Sequence, residues 1–423
     1  MVDEYRAFTM RFQQFTAPVM AKGIEDTAFY VFNRLLSLNE VGGDPAQFGT
    51  TTKAFHRANA ECLARWPDTL LAASTHDNKR SADVRARIDV ISEIPALWRL
   101  CARRWSGMNR RRTHTVDGRQ APSRNDEYLL YQTLIGTFPV GVPEAMVLGD
   151  YRQRIEQYMV KAAREAKVDT SWISVDAEYE SALRTFVGEL LDDTATNSFL
   201  ADLRATAAVF AWFGALNSAS MALLHCTSPG VPDIYQGTEM LEFGLVDPDN
   251  RRPVDYARRR EALCALEMLV TAPVQERVMP LRAMLEAAHD GRLKLWVIWR
   301  ALQWRRAHPA LFARGSYTAA AVTGERSRHV VAFGRRAGNA GLVAACGRLF
   351  ASLGLEPGTI PAGEAVWRDT VIGLPFVPAG TRLTNVLTGE AIDAPRGGLP
   401  VAAAFATLPF ALFGYGDSSA ANA

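Results

Sequence analysis

The stretch LLAASTHDNKRSADVRAR, Leu70 to Arg87, decides how the chain is read. Its first part belongs to DTLLAASTHD, a short run of mostly apolar or small residues that has no helical period and ends in polar groups. That pattern predicts a parallel strand buried on both faces. Ser81 to Ile94 then reads as a helix with its charges on one side, stopped by Pro95. In α/β barrels the functional groups sit at C-terminal strand ends, so His76 and Asp77 are expected in a mouth rather than a core. Two readings of the pair stand side by side. An ionised Asp77 in a concave site can stabilise a cationic transition state while His76 donates hydrogen bonds to a bound hydroxyl. Alternatively, Asp77 caps the helix that follows, since aspartate is a favoured N-cap.

On the N-terminal side, apolar residues from Asp3 to Leu38 recur at helical spacings interrupted by Pro18 and Gly23, which predicts two helical pieces joined at APVMAKGIEDTAFY. Lys22, Glu25 and Asp26 stand there beside Phe29 and Tyr30. They can face a cleft, or they can be the solvent-exposed pairs that Lys and Glu usually make at helical spacing. NEVGGDPAQFG is a glycine-rich loop, and His56 to Trp66 reads as helix. On the C-terminal side, Tyr151–Thr194 reads as mostly helical and Ala201–Leu224 as an apolar, alanine-rich helix. SPGVPDIYQGTEM is a second strand candidate. Its Tyr235, Gln236 and Glu239 either line a pocket with an aromatic platform and hydrogen-bonding groups or form a turn packed on a rim. Helices resume from Ala257 to about His308. Beyond Pro309, RSRHVVAFGRR, GLVAACG and TRLTNVLTGEAI alternate apolar runs with turn residues, which signals antiparallel strands.

The composition, 48% hydrophobic and 22% charged with a net charge of +2, is ordinary for a globular chain of 423 residues and implies no polyanionic partner. The basic cluster from Arg103 to Arg112 has no accompanying nucleic-acid module and reads as a solvated helix end and loop. Five scattered cysteines suggest neither zinc nor disulfides. They read as small buried hydrophobes in a reducing compartment. The N-terminus lacks the apolar core of a signal peptide. The uncharged run Ala205–Leu224 is interrupted by Thr206, Asn217, Ser218 and Ser220 and suits a buried core helix better than a membrane span. A cytoplasmic protein is expected. No dinucleotide, NTPase, redox, serine-hydrolase or zinc-protease motif occurs.

Four segments in order, PVMAKGIEDTAFYVFNRLLSLNEVGGDP, STHDNKRSADVRARI, NDEYLLYQTLIGTFP and PGVPDIYQGTEMLEFGLVDPDNRRPVDY, closely resemble the maltooligosyltrehalose synthase family of the α-amylase superfamily. The resemblance runs from near residue 10 to about 310, and more loosely beyond. It implies the C-terminal part of a (β/α)8 barrel with helical insertions, followed by a small antiparallel β-sandwich. The corresponding segments are a partial barrel over 1–90, a helical insertion over 91–200, the last barrel strand and helices over 201–311, a β-domain over 312–418 and a tail over 419–423. The implied reaction is an intramolecular transglucosylation, which turns the reducing-end α-1,4 linkage of maltooligosaccharides into an α,α-1,1 linkage. Asp77 then matches the superfamily's transition-state stabiliser and His76 its neighbouring hydrogen-bond donor. Lys22, Glu25, Asp26, Tyr30, Lys79, Arg80, Tyr235, Gln236 and Glu239 become candidate substrate contacts. Retaining chemistry on sugars also needs a nucleophilic carboxylate and an acid/base. The family's motifs for these are expected before the Lys22 region, and this chain contains neither, so the isolated chain is expected to be inactive. The implied partners are maltooligosaccharides, a separate chain supplying the first half of the barrel, and maltooligosyltrehalose trehalohydrolase as pathway neighbour. No cofactor, metal, nucleic acid or membrane is implied. A non-catalytic glucan-binding or helper protein derived from the synthase is the alternative.

Overall fold

A computed structural model describes residues 2–141 and 148–416. The tail expected over 419–423, and the last residues of the expected β-domain, lie outside the described residues. Contacts group the chain into two compact units that interleave along the sequence. One comprises Met1–Phe48, His76–Ala208 and Phe243–Arg252, the other Gly49–Thr75, Val209–Glu242 and Pro253–Ala423.

The first unit begins with the helix Val2–Gly23, which runs through Pro18 without a break. The interruption comes later, as a π-helical turn over Ile24–Ala28 that leads into a last helical piece, Phe29–Val31. A buried amide network then fixes the following loop. Asn39 Nδ2 donates to the carbonyls of Phe29 and Phe32 at 2.9 and 2.8 Å. Gln132 accepts from the Leu36 amide at 3.0 Å and donates to the Asn33 carbonyl at 2.8 Å. The Ala82–Glu93 helix is capped by Ser81, whose side chain accepts from the Val84 amide. Pro95 does more than stop that helix. It opens the next one, Pro95–Asn109, where a missing N–H costs nothing.

The polar stretch from Arg103 to Arg124, which by composition reads as a long loop, holds a hairpin, His114–Val116 paired with Arg119–Ala121, around Asp117 and Gly118 with positive φ. Such an Asp-Gly turn matches the twist of paired strands. The helix after it, Arg124–Thr137, is buried continuously from Leu129 to Thr137 rather than amphipathic. Its Asp126 and Glu127 are buried too, accepting from the hydroxyls of Tyr179 at 2.5 Å and Tyr131 at 2.7 Å. Trp105 centres the aromatic core, 5.4 Å from the ring of Tyr131 and 5.5 Å from that of Phe199, with its indole N–H on Asp202. Burying such rings with the polar tip satisfied is among the larger stabilising contributions a core can hold.

In the second unit the helix Thr52–Arg65 precedes the strand Leu70–Ala72, which pairs in parallel with Val231–Asp233, Leu71 opposite Pro232. Both predicted strands therefore exist and are neighbours. The expectation of burial on both faces is corrected: Leu70 is 71% exposed and Val231 40%. Each of these three-residue strands has the other as its only sheet partner among the described residues, so nothing in the sheet covers their outer edges. The helix Ser198–Thr227 is long and apolar enough to cross a membrane by length and composition, and 72% of its most apolar window is buried inside the protein.

The antiparallel strands beyond residue 309 are present. A six-stranded sheet runs Ala391–Asp393, Arg382–Asn385, Phe410–Tyr415, Ala340–Gly347, Val330–Ala337, Ser316–Ala319 in spatial order. A three-stranded antiparallel sheet joins Leu399–Pro400, Val371–Ile372 and Val322–Thr323. Among the cysteines, Cys101, Cys226 and Cys346 are buried, Cys62 is partly so, and Cys264 is exposed, against the expectation that all would be interior.

Candidate functional site

His76 and Asp77 lie exposed on a turn that follows the Leu70–Ala72 strand. The helix beyond begins only at Ala82 and has its own cap in Ser81, so the capping role open to Asp77 is filled by another residue. Four residues separate Asp77 from the first helical residue, too far for its side chain to cap the first turn.

Side chains from distant loops of the same unit shape this turn. Glu40 is buried, and its carboxylate accepts from the Lys79 amide at 2.8 Å and the Arg80 amide at 3.1 Å, and also from Val41 next to it at 2.8 Å. Asn250 donates to the His76 carbonyl at 2.6 Å. The loop that carries Asn250 is held in turn by Asp249, which takes a two-pronged contact from Arg154 at 2.7 and 2.9 Å and accepts from the Leu245 amide at 2.8 Å. Burial raises the Asp249 carboxyl, but the hydrogen bond and charge of Arg154, with the charge of Arg252 and the Leu245 amide, together hold it below its ordinary value.

The π-helical turn meets the same region. Asp26 lies between two ammonium groups, Lys22 at 2.5 Å and Lys79 at 2.7 Å. Desolvation pushes its carboxyl up, while hydrogen bonds from both lysines pull it down further, and the net shift is downward. Lys22 is raised chiefly by that hydrogen bond, with the charges of Glu165 and Asp77 adding to it. A π-turn swings the side chains it carries off the regular helical face, and such turns recur at functional sites.

The candidate contacts differ in what they can offer. Lys22 is exposed at the surface, whereas the Lys79 side chain is only 4% exposed and is engaged by Asp26. Glu25 accepts from the Gly42 amide at 3.2 Å, which ties the π-turn to the glycine loop. Tyr30 is buried, and burial raises its phenol well above the ordinary value. Arg80 is likewise interior, donating to the Tyr158 hydroxyl at 2.7 Å. In the second unit Glu239 accepts from the Gly237 amide at 3.1 Å and pairs with Arg259, which itself donates to the Gly237 carbonyl at 2.6 Å. That carboxylate shapes its own turn, in which Gly237 needs a φ of +90°. Tyr235 is half-buried and Gln236 exposed. Among the described residues no group of three His, Cys, Asp or Glu side chains is placed to hold a metal ion.

Glu40, Asn250, Asp249 and Arg154 were not singled out from the sequence. Their signal is faint: an acid before a glycine pair, and polar residues inside a proline-rich loop, which also describe ordinary surface turns.

No family model matches the chain. Of the curated proteins, a maltooligosyl trehalose synthase of Mycobacterium tuberculosis is 35% identical over 403 residues, which is 95% of this chain and 45% of that protein. Of the solved structures, maltooligosyltrehalose synthase from Arthrobacter ramosus is 34% identical with a TM-score of 0.76, covering 96% of this chain and 46% of that one. A hypothetical maltooligosyl trehalose synthase from Sulfolobus tokodaii is 27% identical with a TM-score of 0.66 over 96% and 47%. Along nearly its whole length the chain is therefore related to the maltooligosyltrehalose synthases, and it spans a little under half the length of the relatives it matches.

Proposed function

We propose that this chain contributes to the site of a maltooligosyltrehalose synthase, an isomerase that moves the reducing-end glucose of a maltooligosaccharide from an α-1,4 to an α,α-1,1 linkage. The observation that carries the reading is the relationship at 35% identity over 403 residues. The placement of Asp77 supports it: an exposed carboxylate on a turn braced from two sides.

Breaking a glycosidic bond builds positive charge on the ring carbon and oxygen. In this reading Asp77 offsets that charge, and His76 donates a hydrogen bond to a hydroxyl of the sugar in the cleavage position. The covalent step needs a nucleophilic carboxylate, and proton transfer to the leaving oxygen needs a second carboxyl group. Neither motif occurs in this chain, so both roles fall to the part of the relatives' length that it does not match, brought by the same or a separate polypeptide.

Asp77→Asn keeps the shape of the side chain and removes its charge. In a preparation that forms trehalosyl product from maltopentaose, the substitution is expected to lower turnover by about 10²–10³-fold, the scale on which a transition-state electrostatic contact acts, with maltopentaose binding nearly unchanged. Unchanged turnover would remove Asp77 from the mechanism.

A further inference from the structure

We propose that Glu40 is a positioning residue for Asp77: its buried carboxylate, on the amides of Lys79 and Arg80, sets the backbone on which Asp77 is presented. This deepens the functional reading above and rests on it. The far end of the turn pairs with backbone, Arg80 bridging Leu245 and the Ser81 amide donating to the Gly244 carbonyl at 3.0 Å, and buried groups left unpaired elsewhere in it would be costly. Around Asp77, side chains take further backbone groups of the turn. Glu40 takes the two amides at 2.8 and 3.1 Å, two and three residues past Asp77, and Asn250 takes the carbonyl of His76, one residue before it, at 2.6 Å.

Glu40 is 7% exposed, and a carboxylate so far from water is retained only where its oxygens are occupied. Its Oε1 serves both Val41 and Lys79, and its Oε2 serves Arg80, with Arg85 further off at 3.8 Å. The loop that bears it is itself immobilised by Asn39 and Gln132. The brace is therefore rigid at both ends, as the placing of a charge against a developing cation requires.

The structural half of the proposal is read on the chain alone, by amide hydrogen exchange of Glu40→Gln. One carboxamide oxygen survives, but an NH2 group now faces an N–H donor. Exchange at Lys79 and Arg80 is expected to quicken at least tenfold, with amides of the Leu148–Ala166 helix unchanged. Exchange at those two positions no faster than in the parent overturns the brace.

The functional half is read on the product-forming preparation. Glu40→Gln is expected to lower kcat for maltopentaose isomerisation tenfold or more with KM within twofold. In the double variant with Asp77→Asn, it should cost nothing further. Glu40→Asp, a methylene too short to span both amides, should lose as much as Glu40→Gln. Full additivity of the Glu40 and Asp77 effects shows an independent, merely structural role and overturns the proposal. If Asp77→Asn alone leaves turnover intact, the reading of Asp77 fails instead, and the exchange result still decides the brace.

Discussion

Asp26 shows how little of a residue's role its type reveals. Written as Lys-x-x-x-Asp, it looks like a surface pair of negligible worth, and the Lys22 half is one, with the lysine 76% exposed. The other half is different, because the Lys79 side chain is only 4% exposed and needs a counter-charge. Asp26→Asn is expected to destabilise the chain by about 1.5–3 kcal/mol, the range for hydrogen bonds to charged groups. The pH dependence has a definite sign. The folded carboxyl of Asp26 lies below its ordinary value, so its contribution is fully present above the unfolded value near 3.8 and is lost as pH falls through the folded one. The stability gap between the parent and Asp26→Asn in denaturant melts should accordingly be constant near neutrality and shrink below about pH 4. A gap that widens on acidification contradicts the pairing.

At the scale of elements, close packing between helix and sheet sets the tolerances. In the second unit the Phe410–Tyr415 strand lies against the Arg292–Ala307 helix at Gly414, where a Cβ would come within 2.3 Å of the Trp304 ring. That ring is stacked on His308 at 3.7 Å between centroids and has little room to yield. Gly414→Ala should cost about 1–3 kcal/mol, the usual penalty of overpacking, measurable as a lower midpoint in urea. No change in the midpoint would show that the helix shifts freely. Elements of this kind were legible in the sequence. The alternation in VVAFGRR and GLVAACG announces paired strands, and the period-free run at Leu70 announces a parallel one, because side-chain alternation and burial leave a trace in residue order. The π-turn was not legible, since one extra residue per turn changes backbone hydrogen bonding without changing composition. The hairpin at Asp117-Gly118 was readable from its turn dipeptide but was masked by the arginines around it. In the candidate site, the Asp77 motif could be quoted from the chain. Its braces could not, because Glu40 and Asn250 reach it from far away in sequence.

For the whole molecule, exposed apolar surface and the division of labour proposed above lead to one expectation. The Val2–Gly23 helix buries no residue, yet Tyr5, Phe8, Phe12, Phe15 and Val19 recur at alternating spacings of three and four and are 70%, 67%, 56%, 69% and 54% exposed. That is the spacing of a seam that packs against another polypeptide surface. In the second unit Leu70 is 71% exposed on a strand whose outer edge no sheet neighbour covers among the described residues. Such surfaces bind hydrophobic dyes and aggregate. The chain on its own should bind ANS and convert no maltopentaose to the trehalosyl isomer, because Asp77 can stabilise a cation but supplies neither the attacking carboxylate nor the proton. Adding a polypeptide that matches the remaining length of the relatives should suppress ANS fluorescence and bring product formation with it. If dye binding falls while product stays absent, the covering surface is right and the placing of the nucleophile and acid/base on that polypeptide is wrong. Trehalosyl product from the purified chain alone, free of any other synthase, would place all the catalytic groups within these 423 residues and overturn the division of labour argued here.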